Sequence, residues 1–233
     1  MLSESSAMRG SSASRIRRFV FDVMGTNAYV VSAGNEVIVV DPHRNAEMME
    51  CLRSLKPSRV VILLSHEHPD HTFGVPDIVR EFTCCLICQR RCAEAIGDMR
   101  NNRPLLMGLV LSRSCSPVEA NRAREFLASF PRYALRADNV FDDNLSFMVG
   151  DRYLEMVAAP GHSPGGCLIK MDDECVFTGD NLILNTPPIL RFPGSSQKDF
   201  MEITQQHLDA IPDDMLVLPG HGESFLMGNY RNG

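Results

Sequence analysis

One stretch of the sequence, residues 65–71, constrains the fold and the chemistry of this chain more than any other. It consists of Ser-His-Glu-His-Pro-Asp-His and follows the apolar run 60–64, which has the length and composition of a buried strand. Three imidazoles packed this closely with carboxylates are costly unless a cation holds them, and both groups are common metal ligands. The stretch therefore predicts a metal site on the loop after a strand.

Three more residues of metal-binding type follow along the chain, each in a short Gly-rich turn after a strand-like run. They are His162 in residues 161–165, Asp180 in residues 178–181 and His221 in residues 219–222. A lone histidine is usually structural, but five of the seven histidines fall into these turns and the first stretch. This grouping predicts a shared site.

The predicted ligands divide into two sets that share one residue. The first set is His66, His68 and His162, and the second set is Asp70, His71 and His221. Asp180 has two carboxylate oxygens and can bridge two ions. Asp70 is also the candidate catalytic residue, because its carboxylate can orient an attacking water in the manner of a general base.

Mixed imidazole and carboxylate ligands suit two divalent ions, with zinc as the first choice and iron or manganese left open. Two ions that share a water would lower its pKa from about 15.7 towards about 7 and supply a bridging hydroxide. No Ser or Cys nucleophile is then needed. The ligand sets predict a dinuclear metal-dependent hydrolase.

Two histidines and one aspartate outside these sets also need an interpretation. His43 follows an early strand, and we interpret it as part of a surface turn, with a position lining the site as the alternative. Asp41, close by, is expected to support a ligand from behind. His207 is expected in the core or at the edge of a helix over residues 197–210, on a face with Phe200, Ile203, Thr204, Leu208 and Ile211.

The remaining pattern predicts two similar groups of strands, each leading to metal-binding residues. The predicted strands are residues 19–23, 28–32, 37–40, 60–64, 146–149, 153–158, 167–171, 175–178 and 216–218, and a further helix is predicted over 46–55. Sheets of this kind are expected to be covered by helices on one face and by a second sheet on the other.

Length and composition favour one domain over residues 19–233 that acts on a small molecule. The net charge of -6 argues against nucleic acid or an anionic membrane as partner. The apolar runs are only of strand length, so we expect a soluble, cytoplasmic protein. Residues 1–18 are interpreted as a disordered tail, and the eight cysteines as free thiols. A second metal site at Cys85, Cys88 and Cys92 is the alternative for that group.

An Arg-rich insertion at about residues 97–137 carries seven arginines against three acidic residues, a local charge of 7 - 3 = +4. One interpretation is a solvated helical excursion, with a helix over residues 118–130. The other is a lid that offers guanidinium groups to an acidic substrate. Residues 24–27 and 184–193 are also expected to contribute to the choice of substrate.

On these residues, the chain resembles the metallo-β-lactamase-fold hydrolase superfamily. The ordered signature of that superfamily matches Asp41, residues 66–71, His162, Asp180 and His221. The resemblance implies a four-layer αββα sandwich with a dinuclear site at one edge of the sheets. The motifs look most like the glyoxalase II branch of thioester hydrolases, although the chain ends soon after His221 and residues 185–191 replace that branch's Gly-Arg segment.

The resemblance leaves alternatives to a hydrolase of a small ester, thioester or lactone. Persulfide dioxygenases share much of the motif but bind one iron, through residues that match His66, His162 and Asp180. Some members are metal-binding regulatory modules without catalysis. Antibiotic hydrolysis is not expected, because the commonest class of true β-lactamase has Cys where Asp180 stands.

Overall fold

Two six-stranded sheets pack face to face in the computed structural model, which describes residues 16–101 and 131–232. In spatial order the first sheet contains β1 (Ile16–Phe21), β2 (Thr26–Ala33), β3 (Glu36–Val40), β4 (Val60–Leu63), β5 (Cys84–Gln89) and β6 (Asn139–Phe141). The second contains β12 (Phe225–Leu226), β11 (Leu216–Pro219), β10 (Cys175–Gly179), β9 (Cys167–Met171), β8 (Arg152–Ala158) and β7 (Asn144–Val149). Strands β3 to β6 are parallel, β7 to β10 form an antiparallel meander, and β10 and β11 are parallel.

Helices cover the outer face of each sheet. The helices are α1 (Ala46–Leu55), α2 (Pro69–Thr72), α3 (Val75–Glu81), α4 (Arg90–Gly97), α5 (Gln197–Asp199), α6 (Gln205–Asp209) and α7 (Met227–Arg231), with a π-helical segment, Phe200–Thr204, between α5 and α6. Side chains from α1, α3 and α4 pack on the first sheet, and side chains from the π-helical segment, α6 and α7 pack on the second. The predicted αββα sandwich is confirmed.

Successive side chains of the central strands point alternately to the two faces of each sheet. In β3, Ile38 and Val40 face the second sheet, whereas Val37 and Val39 face the helices. Successive side chains of a strand point to opposite faces, so a strand that is apolar at every position has to be covered on both faces. The continuous apolar runs of the sequence therefore dictate four layers.

Most predicted elements are confirmed within one to three residues, and α1 matches exactly in its bounds. The predicted end of the tail at residue 18 is wrong, because β1 begins at Ile16 and pairs with β2 from its first residue. The sequence did not predict β5, β6, β12, α2, α3, α4 or α7. The predicted helix over residues 118–130 lies outside the described residues.

The π-helical segment changes the predicted helix face. Phe200, Thr204, Leu208 and Ile211 are buried as expected, but Ile203 is 41% exposed and His207 is half-buried. A π turn inserts an extra residue into the helical repeat and so rotates the face that meets the sheet. The part of the prediction that places Ile203 on the buried face is wrong.

Cysteines within the described part of the chain are all free thiols, as predicted, and none belongs to a group that could hold a metal. They are Cys51, Cys84, Cys85, Cys88, Cys92, Cys167 and Cys175. The alternative metal site at Cys85, Cys88 and Cys92 is therefore wrong. Among the described helices, none has the length and apolar character needed to cross a bilayer.

Candidate metal centre

Four loops meet at one edge of the sandwich, each directly after the carboxyl end of a strand. The loop after β4 carries residues 66–71, and His162, Asp180 and His221 follow β8, β10 and β11. Because β8, β10 and β11 run in the same direction, their carboxyl ends lie at the same edge of the second sheet. All seven residues predicted as ligands are brought together there.

The first ligand set converges on a single point. His68 Nδ1 lies 3.0 Å from His66 Nε2 and 3.0 Å from His162 Nε2. Nitrogens that share one tetrahedral zinc at 2.0–2.1 Å lie about 3.3 Å apart, so this spacing suits one common cation. A single proton could link only two of the three nitrogens, which favours a metal over a hydrogen-bond network.

The second ligand set is more acidic. Asp70 Oδ2 lies 3.4 Å from His71 Nε2 and 3.6 Å from His221 Nε2. Asp70 and His71 are buried, while the side chain of His221 is 24% exposed. A carboxylate and two imidazoles are again a donor set for a divalent ion.

Asp180 lies between the two sets. Its Oδ1 is 3.4 Å from His71 Nε2, and its Oδ2 is 3.5 Å from both His162 Nε2 and His221 Nε2. Within the described residues, three buried atoms at this point have no hydrogen-bond partner: Asp70 Oδ1, His71 Nε2 and Asp180 Oδ1. Buried polar atoms are rarely left unpaired, so the residues present fit bound cations.

Hydrogen bonds at Nδ1, on the side of the ring away from the site, fix the tautomers of three histidine ligands. Ser65 Oγ donates to Asp41 Oδ2 at 2.5 Å and therefore accepts from His66 Nδ1 at 3.0 Å. His71 Nδ1 donates to Asp41 Oδ2 at 3.1 Å, and His162 Nδ1 donates to the carbonyl oxygen of Ile189 at 2.8 Å. Each Nε2 then keeps its lone pair on the side of the site, as metal ligation requires.

Asp41 supports the ligands, as the sequence predicts. It accepts the backbone N–H of Ser65 at 2.7 Å, in addition to the Ser65 hydroxyl and His71. Its backbone has a φ of +51°, a left-handed conformation that aspartate tolerates better than most residues. This local strain is compensated by three hydrogen bonds to the loop that carries the ligands.

Electrostatics divide the two sets in the protein without bound ions. Burial lowers the pKa of His68 to about 4 and also lowers the pKa values of His66 and His162, so these imidazoles are neutral donors. Burial opposes protonation of His71 and His221 as well. The nearby Asp70 and Asp180 charges outweigh it and raise these pKa values to about 9 and about 11.

Two glycines allow the loops to approach this closely. A Cβ on Gly179, whose φ is +51°, would collide with the side chain of Ser65. A Cβ on Gly220 would collide with Asp180 Oδ1 and the ring of His71. The Gly-rich turns noted in the sequence are thus required by packing around the ligands.

A segment after Asp180 forms one wall of the site. Besides the carbonyl group of Ile189, it contributes Phe192, whose ring meets those of His68 and His162 edge-on at centroid distances of 5.3 and 5.7 Å. Leu184 and Leu190 of the same segment pack against the core of the second sheet. The sequence suggested only that residues 184–193 contribute to substrate choice, and no motif marks Phe192.

Thr26 supports the second ligand set, whereas the sequence predicted only that residues 24–27 contribute to the choice of substrate. Its hydroxyl donates to Asp70 Oδ2 at 2.9 Å, and its backbone forms an isolated bridge with His221. The next residue, Asn27, donates through its side chain to the carbonyl oxygens of Pro219 and Gly222, both at 2.9 Å. The start of β2 thereby holds two of the three ligands in place.

We expect the Thr26→Val substitution to weaken binding of one metal equivalent about 10-fold to 100-fold, as is typical when a hydrogen bond to a ligand is lost. Valine keeps the shape and the strand preference of threonine but cannot donate to Asp70. Titration of metal-free protein with zinc measures the effect. Thr26→Ser keeps the hydroxyl and should restore the affinity; equal weakening in both variants would contradict the role of the hydroxyl.

The interpretation of His43 as a surface residue is wrong. Its side chain is buried, its Nε2 lies 3.0 Å from the carbonyl oxygen of Phe19, and its ring packs near Phe21 and Phe73. His43 and His207 belong to neither ligand set. The sequence around His43 does not reveal this burial, because the aromatic rings that cover the imidazole belong to other segments of the chain.

Only the flanks of the Arg-rich insertion lie within the described residues. Arg100 pairs with Asp98 at 2.6 Å on the surface. After the gap, the hydroxyl of Tyr133 lies 2.7 Å from Thr72 Oγ1, at the end of the short helix that carries Asp70 and His71. The two interpretations of the insertion stay predictions.

Comparison with known sequences finds relatives with metal-dependent and thioester chemistry in their names. A probable metallo-hydrolase of Streptococcus pyogenes serotype M6 is 26% identical over 227 residues, which cover 94% of this chain and 88% of that protein. An atrochrysone carboxyl ACP thioesterase of Paecilomyces divaricatus is 26% identical over 171 residues, 70% of this chain and 41% of that protein.

Solved structures share the fold at lower identity. The BLEG-1 B3 metallo-beta-lactamase superposes with a TM-score of 0.74 at 22% identity, covering 94% of this chain and 97% of that one. TTHA1623 in a di-iron-bound form has a TM-score of 0.65, also at 22% identity, covering 87% and 90%. The family described as the Metallo-beta-lactamase superfamily matches residues 21–221, and the chain belongs to that superfamily.

Proposed function

We propose that this protein is a dinuclear metal-dependent hydrolase of a small ester, thioester or lactone. The observation that carries the proposal is that two separate donor sets meet at the two oxygens of Asp180. The names of a probable metallo-hydrolase and a thioesterase among the relatives, and the di-iron form of TTHA1623, support metal-dependent chemistry of this kind. The glyoxalase II-like branch stays a prediction.

The side chains of the site suit the tasks of such a reaction. Bound ions would lower the pKa of a water and polarise the carbonyl group of the substrate. His66, His68 and His162 would hold one ion, Asp70, His71 and His221 the other, and Asp180 both. Asp70 Oδ1, which is buried and has no partner among the described residues, is available to accept a proton from water.

The surroundings favour a small substrate with an apolar part beside the bond to be cleaved. The ring of Phe192 lies against two ligands of the first set, so an acyl group bound there would contact an aromatic surface. We propose zinc as the natural metal, because it accepts imidazole and carboxylate in the numbers found here. Nucleic acid is not proposed as a partner, in view of the net charge of -6.

Elemental analysis of the purified protein, followed by hydrolysis assays on acyl thioesters, esters and lactones, tests the proposal. We expect about two divalent ions per chain and metal-dependent turnover of at least one of these classes. One iron per chain, together with oxygen consumption in the presence of a persulfide, would contradict it in favour of a dioxygenase. Full metal content without turnover of any class would contradict catalysis.

A further inference from the structure

Glu67 is the one residue between His66 and His68, and neither ligand set uses it. In an extended loop, alternate side chains point in opposite directions, so the two histidines face the site while Glu67 faces away from it. Its carboxylate meets the loop that carries His162. Glu67 Oε2 accepts the hydroxyl of Ser163 at 3.0 Å, and Oε1 accepts the backbone N–H of Gly165 at 3.2 Å.

These two hydrogen bonds connect the two loops that supply the first ligand set. The loop after β4 provides His66 and His68, and the loop after β8 provides His162, which is adjacent to Ser163. The loops are 96 to 98 residues apart in sequence. Their relative position sets the distance of 3.0 Å between His68 Nδ1 and His162 Nε2.

The contact is tightly enclosed. A Cβ on Gly165 would collide with Glu67 Oε2 and with the backbone of Cys92 at the start of α4. The carboxylate is therefore held between the β8 loop and the first sheet's helical layer, with little room to move. Two hydrogen bonds to one enclosed carboxyl group resist displacement of the loop.

Other contacts hold the same segments together without Glu67. The N–H of Cys167 donates to the carbonyl oxygen of Ser65 at 2.8 Å, and the Cys167 thiol donates to that of Leu64 at 3.3 Å. Loss of the Glu67 carboxylate should thus leave these two segments joined. It should change the alignment of the loop tips, where the ligands are.

We propose that Glu67 is a positioning residue that aligns His162 with His66 and His68 and thereby sets the metal affinity of the first ligand set alone. This inference rests on the proposed dinuclear site. The second set is held by Thr26, which donates to Asp70, and by Asp41, which accepts from His71 and also supports His66 through Ser65. Neither of these contacts involves Glu67 or Ser163, so the contact of Glu67 bears on the first set.

Titration of the metal-free protein with Co²⁺, followed by absorption spectroscopy, tests the role of Glu67 without any substrate. We expect Glu67→Ala to weaken one of two equivalents about 10-fold to 100-fold and to leave the other within about twofold. Glu67→Gln keeps one acceptor oxygen and should fall between Glu67→Ala and the unchanged protein. His162→Ala and His221→Ala provide reference spectra for loss of the first and the second set.

A double-variant comparison identifies the set affected. If Glu67 acts through His162, the double variant Glu67→Ala/His162→Ala should bind metal no more weakly than His162→Ala alone. The effect of Glu67→Ala should instead add to the effect of His221→Ala. Glu36→Ala is the matched control, because Glu36 also accepts a glycine N–H, from Gly150 at 3.0 Å, and joins two segments away from the site. It should retain both equivalents.

The outcomes separate this inference from the proposed function. Two tight equivalents in the unchanged protein, with both of them unaffected or equally weakened in Glu67→Ala and Glu67→Gln, would overturn the role of Glu67 and leave the dinuclear site in place. Fewer than two equivalents in the unchanged protein would overturn the proposed dinuclear site, and the inference with it.

Discussion

Asp180→Ala is expected to remove at least one metal equivalent per chain and to lower kcat/KM about 1,000-fold or more, which corresponds to ~4 kcal/mol of transition-state stabilisation. The reason is the central position of the carboxylate. Its oxygens lie 3.4 Å from His71 Nε2 and 3.5 Å from the Nε2 atoms of His162 and His221. Metal analysis and steady-state kinetics on the most active substrate class measure both effects.

Asp180→Asn extends this test, because it keeps the volume of the side chain and replaces one ligand oxygen by an amide group that cannot ligate a cation. It should resemble Asp180→Ala in metal content while disturbing the packing less. His207→Ala is the control. His207 is half-buried, lines a cavity of about 360 Å³ beside α6 and belongs to neither ligand set. Equal losses in the Asp180 and His207 variants would show that the ligand assignment is wrong.

The sequence predicted the four layers and all seven residues that meet at the site, because both depend on local patterns. Apolar runs of strand length mark the buried strands, and a histidine or aspartate in a Gly-rich turn marks the end of such a strand. When several strand ends carry ligands, they meet at one edge of the sheets. The convergence of His66, His162, Asp180 and His221 follows from this order alone.

The residues that hold the ligands could not be found in the same way. Thr26 and Phe192 are of ordinary type and lie in no motif, and Glu67 stands within the motif at a position that the metal does not require. The roles of Thr26 and Glu67 depend on contacts with residues that lie 44 to 98 positions away in sequence. No periodicity in a single sequence reports such contacts.

The errors have the same physical origin. His43 is buried because it lies near Phe21 and Phe73, and neither contact is visible in the turn where His43 occurs. β5 was missed because its sequence, Cys-Cys-Leu-Ile-Cys-Gln, contains few β-branched residues, although parallel pairing with β4 and β6 on both sides stabilises it. Tertiary contacts outweighed local preference in both cases.

Asp70→Asn is expected to lower kcat about 100-fold to 10,000-fold while KM changes less than about threefold. The two oxygens of Asp70 have different surroundings. Oδ2 accepts from Thr26 and faces His71 and His221, whereas Oδ1 is buried without a partner among the described residues. An asparagine keeps the shape but has only one acceptor oxygen, so it cannot both replace Oδ2 and accept a proton at the position of Oδ1.

Kinetics at saturating metal distinguish the two roles of Asp70, because excess metal compensates for a weakened ligand but not for a lost proton acceptor. The decrease in kcat should therefore persist when both metal positions are filled. Asp77 lies on α3, pairs with Arg44 and belongs to neither ligand set, so Asp77→Asn should leave kcat unchanged. Full recovery of kcat by added metal would reduce Asp70 to a ligand and assign the proton transfer to another group of the site.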